Sequence, residues 1–290
     1  MIYHLDVIPP PPFSILALSL GRSAIILLAT MTTRLKGLIE SGQPAIGSWI
    51  SSIDPYAVEL TADLGFDWLL IDMEHTPLSR DNLRFILTAL RGSVSTPVVR
   101  LTSNTLEHFQ TALDLGAQGV VVPMVNTGSD AQQAVRFCRY PPDGVRGFAP
   151  IRASRYLENL SEYISTANSV ISLIVQIETP AAAWNIDEIL TTVGIDGIYI
   201  GPSDLASFMG LPSQTSHPKV MEVMDGVIAR ARTHSIPFGL PTWSEEECLS
   251  FVRKGGQLLT VGSDLHFLST AARQRLSGVR QLLKEQSSTA

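Results

Sequence analysis

From residue 45 onward the chain alternates short apolar runs with segments whose apolar residues recur every three or four positions. The runs at 45–50, 66–73, 97–101, 119–125, 174–179, 197–200, 237–240 and 258–261 predict strands. The segments at 55–64, 81–91, 106–115, 129–138, 181–190, 218–234, 245–254 and 267–283 predict helices, and 140–169 reads as a long connection. Runs this apolar belong to strands buried on both faces, as parallel sheets require. Eight strand-helix units with right-handed crossovers close most naturally into an α/β fold of the (β/α)8 TIM-barrel type. An open doubly wound sheet is the alternative. It is disfavoured because Gly47-Ser48-Trp49 on the first strand is not a Gly-x-Gly-x-x-Gly fingerprint.

Polar residues break the apolar pattern at the strand ends. Gln176 and Glu178 lie two apart and so on one face of their strand, and the next strand runs into Gly201-Pro202-Ser203-Asp204. The second strand ends in Ile71-Asp72-Met73-Glu74-His75 and the third in Val98-Val99-Arg100. Each residue alone has a plain structural explanation: Asp72 or Asp204 as a helix cap, Arg100 as an ion-pair partner, His75 as a loop histidine. Four strands ending this way point to one site, because the C-terminal strand ends of a barrel carry its chemistry. Two carboxylates without a required His or Cys ligand favour a hard divalent cation, Mg2+ or Mn2+, completed by water and substrate oxygens. Such a site suits a 2-oxo acid, whose carbonyl the cation polarises towards an enolate. Arg100 adds fixed positive charge where the oxyanion develops. His75 is the natural proton shuttle, since histidine changes charge near neutral pH. Schiff-base chemistry needs a desolvated lysine, and none of Lys36, Lys219, Lys254 and Lys284 ends an apolar run.

Composition narrows the setting. A chain of 290 residues, 45% hydrophobic, with a net charge of −6, can bury one sizeable core and is no nucleic-acid binder by charge. Cys138 and Cys248 lack any disulfide or zinc spacing, which fits a reducing, cytoplasmic setting. Residues 1–30 stand apart, with a proline run from Pro9 to Pro12 and apolar patches at 13–20 and 24–29. No basic residue precedes the first patch, as a signal peptide would want, and neither patch approaches the roughly 20 residues of a membrane span. They read as a poorly ordered extension, with residues 31–290 as the barrel.

The strand-end motifs also carry a resemblance. Residues 65–75, Leu113-Asp114-Leu115-Gly116 with the run that follows to 127, Tyr140-Pro141-Pro142-Asp143-Gly144-Val145-Arg146-Gly147, Gln176-Ile177-Glu178-Thr179 and Gly201-Pro202-Ser203-Asp204-Leu205 resemble the HpcH/HpaI aldolase family. These are metal-dependent class II pyruvate aldolases on a phosphoenolpyruvate/pyruvate-type barrel, and the similarity spans about residues 34 to 283. The resemblance implies reversible cleavage of a 4-hydroxy-2-oxo acid to pyruvate and an aldehyde, with Mg2+, Mn2+ or Co2+. It implies His75 as base, with Asp114, of this chain or a neighbouring subunit, raising its basicity, and Arg100 as transition-state stabiliser. Glu178 and Asp204 match metal ligands; Gln176, Ser203 and the Asp204 backbone match positions around pyruvate; Asp72 and Glu74 match acids near metal-bound waters. It further implies a hexamer of domain-swapped dimers whose last helix, 267–283, crosses to a partner. Bulky Phe148 and rigid Pro150, and the stretch Gly239-Leu240-Pro241-Thr242-Trp243, depart from the family pattern in loops expected to line the aldehyde side. Oxaloacetate decarboxylation through the same enolate is the alternative. A citrate-lyase-type enzyme acting on a CoA thioester would want a cluster of Lys or Arg that this chain lacks before the metal strands, and a non-catalytic barrel has no use for the full set of His75, Arg100, Glu178 and Asp204.

Overall fold

In the computed structural model, which describes residues 32–288, eight strands pair in sequence order, all parallel, and β1 closes the ring on β8. They are β1 (Ala45–Ile50), β2 (Trp68–Asp72), β3 (Thr96–Arg100), β4 (Gly119–Val122), β5 (Ser172–Ile177), β6 (Gly197–Ile200), β7 (Phe238–Pro241) and β8 (Leu258–Ser263). Around them stand α1 (Arg34–Glu40), α2 (Pro55–Asp63), α3 (Arg80–Ala89), α4 (Leu106–Asp114), α5 (Gly128–Cys138), α6 (Leu160–Val170), α7 (Pro180–Trp184), α8 (Ile186–Leu190), α9 (Pro202–Phe208), α10 (Pro218–Thr233), α11 (Glu245–Arg253) and α12 (Asp264–Ser288). The barrel expected from the sequence is present.

The two-residue period of a strand divides each one between two cores. Trp68, Leu70, Val98, Val121, Ile174, Tyr199 and Leu258 pack with one another inside the ring. Leu69, Ile71, Val99, Val120, Leu173, Val175 and Ile198 belong to the larger cluster shared with the helices. Trp68 fills the floor because residue 47 is glycine: a Cβ there would stand 2.6 Å from the indole Nε1. The same parity, continued one step along each strand, brings Asp72, Arg100 and Gln176 to the inside at the C-terminal mouth.

α1 closes the opposite end. Its Leu35 and Ile39 join the inner cluster, Thr33 caps the Lys36 amide at 3.1 Å, and Arg34 and Lys36 pair with Asp67 and Asp196. The hydrophobic pattern assigns nothing here, since a seven-residue helix shows too few turns for a period. Three further differences have local causes. The end of the expected connection 140–169 holds α6, whose Leu160, Tyr163, Ile164 and Ala167 recur at helical spacing although only Ala167 is fully buried. The helix expected over 181–190 breaks at Asn185, whose Nδ2 donates to the Asn126 carbonyl at 2.9 Å. β4 stops at Val122, because Pro123 has no N–H for the ladder and Met124 turns to φ 56°. Residues 33 onward form one compact unit, and among the described residues no helix is long and apolar enough to cross a membrane. The extension expected at 1–30 lies outside the described residues.

Candidate active site

The site grows from a pairing fixed by the ladder. Asp72 and Arg100 are the last residues of β2 and β3 and register partners, so their side chains meet inside the mouth. Arg100 grips Asp72 with two bonds, Nε to Oδ1 at 2.9 Å and Nη2 to Oδ2 at 2.8 Å. The Arg100 guanidinium lies 4.5 Å over the ring of Trp49, the inward residue of β1, which adds a cation–π contact. Asp72 also builds the turn that follows it: Oδ1 accepts the amides of Glu74 (3.0 Å) and His75 (3.2 Å), and Oδ2 accepts the Thr76 hydroxyl (3.3 Å). Burial pushes the Asp72 carboxyl up, but the Arg100 bond and charge, with those two amides, outweigh it and leave it below the ordinary carboxylate range.

Glu74 is the contrasting case. Its Oε2 lies 3.3 Å from Arg100 Nη1 and 3.8 Å from His75 Nε2, yet is buried without a hydrogen bond. Burial, together with the charges of Glu178, Asp72 and Asp204, outweighs Arg100 and raises it to about 7. His75 stands on the rim with its side chain 58% exposed, lining the cavity.

The second half of the site comes from β5 and β6. Glu178, one residue beyond β5, is 2% exposed; its Oε1 accepts the Met124 amide at 2.6 Å and its Oε2 the Gln176 side-chain amide. The left-handed Met124 is what aims that N–H, a costly conformation for a residue with a Cβ. Gly201 lets the next strand end pass close by, since a Cβ there would stand 2.9 Å from Glu178 Cβ. Asp204 follows in the first turn of α9 and lines the cavity with Ser203. Burial raises the Glu178 carboxyl, and the Asp204 charge adds to the rise, against the Met124 and Gln176 bonds and the Arg100 charge. The cavity itself, about 260 Å3, is walled by Trp49, Ser51, Asp72, His75, Arg100, Gln176, Tyr199, Gly201, Pro202, Ser203, Asp204, Pro241, Trp243 and Ser263.

These residues fit a divalent cation. Glu178 is buried and Asp204 half-buried, close enough for the Asp204 charge to act on Glu178, each Glu178 oxygen keeps lone pairs beyond its single donor, and Gln176 Oε1 is buried with no partner. Among the described residues no three His, Cys, Asp or Glu side chains form a metal-binding group. A cation here would therefore draw further ligands from water and substrate, as Mg2+ does elsewhere.

The profile of the HpcH/HpaI aldolase/citrate lyase family matches residues 45–271. The chain belongs to this family. It is 39% identical to a hydroxypyruvate/pyruvate aldolase of Roseovarius nubinhibens over 247 residues, covering 85% of this chain and 96% of that one. It is 36% identical to a 5-keto-4-deoxy-D-glucarate aldolase of Salmonella paratyphi A over 237 residues, covering 82% and 93%. A solved HpcH/HpaI family protein from Burkholderia cenocepacia J2315 superposes with a TM-score of 0.82 at 33% identity, over 86% of this chain and all of that one. Relatives of this kind mark the chain as an aldolase-type lyase on a TIM barrel.

Of the residues singled out by sequence, His75, Arg100, Asp72, Gln176, Ser203 and Asp204 line one cavity, and Glu74 and Glu178 stand directly behind it. Asp114 does not join them in this chain. It ends α4, a helix running antiparallel to the strands and so away from the mouth, and its Oδ1 accepts from Arg146 Nη2 at 2.7 Å. Arg146 is fully buried, also bonds Tyr163 and lies 4.4 Å over the Tyr140 ring, an anchor to which the sequence reading assigned no role. Phe148 packs on Tyr140 at 5.9 Å and Pro150 is buried in the same segment, so that loop does not reach the cavity of its own chain; Trp243 does. Trp49 was missed, although its parity with Ala45 and Gly47 on β1 marks it as inward-facing.

Proposed function

We propose that the chain cleaves a 4-hydroxy-2-oxo acid reversibly to pyruvate and an aldehyde, with a divalent cation, Mg2+, Mn2+ or Co2+, held by Glu178 and Asp204. The observation that carries this reading is the convergence of those two carboxylates with Gln176, Arg100 and His75 at one mouth. When bound, the cation supplies Lewis-acid polarisation of the keto oxygen. His75 takes the proton from the C4 hydroxyl, the C3–C4 bond breaks, and the aldehyde leaves with the C4 oxygen. The bonding pair passes towards C2 as the enolate, whose developing oxyanion charge Arg100 offsets, and a proton returned to C3 gives pyruvate. Ser203 and the start of α9 close the pyruvate side. Decarboxylation of oxaloacetate passes through the same enolate and is expected as a side activity.

The same reading extends to assembly as a homo-oligomer, a hexamer of swapped dimers, with α12 as the exchanged helix and Asp114 meeting the His75 of a neighbouring copy. The exposed leucines of α12 support it. The test of the chemistry is chelation. EDTA should abolish aldol cleavage, Mg2+, Mn2+ or Co2+ should restore it, and Glu178→Gln or Asp204→Asn should lower metal affinity measured by calorimetry as well as rate. Full activity after rigorous chelation, or borohydride trapping of pyruvate on a lysine, would sink the class II reading.

A further inference from the structure

Trp243 is a large apolar side chain held out at the cavity rim on a backbone tied down by hydrogen bonds. Before it, Thr242 is fully buried, with its amide (2.7 Å) and hydroxyl (2.9 Å) both donating to the Thr260 carbonyl of β8. At Trp243 itself the amide donates to Glu247 Oε2 at 2.7 Å, and the next residue, Ser244, caps α11. Trp243 is nevertheless 55% exposed and forms part of the cavity wall. His266, in the first turn of α12, packs against it edge-to-face at 5.3 Å.

The two sides of the cavity differ in chemistry. The pyruvate side carries Gln176, Asp204 and Arg100, with Glu178 behind. The wall that continues from Trp243 round β7, β8 and β1 carries Pro241 and the hydroxyl residues Ser263 and Ser51. Among the described residues lining the cavity, Arg100 is the sole arginine or lysine, and its guanidinium is already engaged by Asp72 and Glu74. Among the described residues of this chain, an acceptor carboxylate leaving the pyruvate side would meet an aromatic face and hydroxyls but no free arginine or lysine. His75, the proposed base, must be neutral to take its proton, so the charge would stand unpaired, which is costly. A neutral chain meets the opposite situation: its C–H groups cover the indole, and its hydroxyls can exchange hydrogen bonds with Ser51 and Ser263.

We propose that Trp243, braced by His266, is the acceptor-side wall of the site and selects a neutral aldehyde, hydroxylated or apolar, over one that carries a carboxylate. The proposal rests on the aldolase reading above, so its test separates the two halves of the reaction. Enolate formation is read as exchange of the pyruvate C3 hydrogens in D2O with Mn2+. Acceptor use is read as kcat/KM for glycolaldehyde and glyceraldehyde against glyoxylate and succinic semialdehyde. In the unaltered protein the neutral pair should lead by about tenfold or more. Trp243→Ala should raise KM for the neutral acceptors by about tenfold, the scale on which one apolar contact discriminates, while Trp243→Phe keeps most of the preference. In both variants pyruvate exchange should fall far less than acceptor use does. Equal or better use of the carboxylated aldehydes, a Trp243→Ala effect that falls alike on both acceptor classes, or a parallel loss of pyruvate exchange overturns the wall. Absence of exchange in the unaltered protein would overturn the aldolase reading, and the wall with it.

Discussion

Arg100 and His75 stand in the same cavity but in opposite physical situations, one locked and one loose. Arg100 is 8% exposed, fixed by Asp72, Glu74 and Trp49, and so offers its charge without reorganising when an oxyanion forms. His75 sits on the rim with its imidazole largely in solvent, free to meet a substrate hydroxyl. Their variants should therefore differ. Arg100→Ala should depress aldol cleavage and oxaloacetate decarboxylation together, by about 10²–10³ in rate, the usual cost of one oxyanion partner. His75→Ala should spare decarboxylation, which has no C4 hydroxyl proton to remove. Parallel progress curves on the two substrates check this, and equal losses in both for His75→Ala would remove the histidine from the role of base.

At the scale of elements, the turn between β2 and α3 is organised by one carboxylate and burdened by another. Asp72, ionised and bonded to two amides, shapes residues 73–76 and so places both Glu74 and His75. Glu74, raised to about 7, binds its proton more tightly in the folded chain than in the unfolded one. Its contribution to stability is complete below the ordinary glutamate range and is lost as pH rises through about 7, because there the folded state must give up a proton that the unfolded state has already released. Glu178 is raised in the same sense, whereas Asp72 is lowered and acts only in acid. In chelator the melting temperature should thus fall from pH 5.5 to pH 8. Glu74→Gln should flatten part of that slope, and Glu178→Gln should flatten it in the same sense. Identical pH profiles for all three proteins would show that neither carboxyl carries the linkage. Elements also show the limits of sequence pattern: α6 carries apolar residues at helical spacing but fully buries only Ala167, and α9 is seven residues long after Gly201-Pro202.

For the whole molecule, α12 is the feature that a single barrel leaves unexplained. It runs 25 residues, about 37 Å at the helical rise. Its start is held to the barrel by Phe267, stacked on Phe66 at 6.2 Å, but Leu268, Leu276, Leu282 and Leu283 are each exposed by half or more. Exposed leucines repeated along one helix are what an exchanged helix needs to seat on a neighbour. Leu276→Glu combined with Leu283→Glu should reduce the assembled mass seen by light scattering, while far-ultraviolet circular dichroism stays that of an intact barrel. An unchanged mass would show that α12 is not the exchanged element. On the proposed assembly activity should fall with the mass, because within one chain Asp114 and His75 lie at opposite ends of the barrel and only a neighbouring copy could bring them together.

Much was legible in the residues alone, because it depended on local period and on chemistry at fixed offsets. Eight apolar runs alternating with helical segments specify the barrel, since a strand buried on both faces has few alternatives, and the same parity that sorts Leu69 from Leu70 predicts that Gln176 and Glu178 share a face. The strand-end residues Asp72, Arg100, Glu178 and Asp204 are legible in the sequence. Their electrostatics could not. Whether a carboxyl is held down like Asp72 or pushed up like Glu74, two residues away, depends on which guanidinium, amide or neighbouring charge arrives from another strand. The role of Trp49 over Arg100, the left-handed Met124 aimed at Glu178, and the separation of Asp114 from His75 likewise arise from contacts between elements distant in sequence. Period and spacing are properties of the chain, whereas distance and burial exist only once the ring has closed.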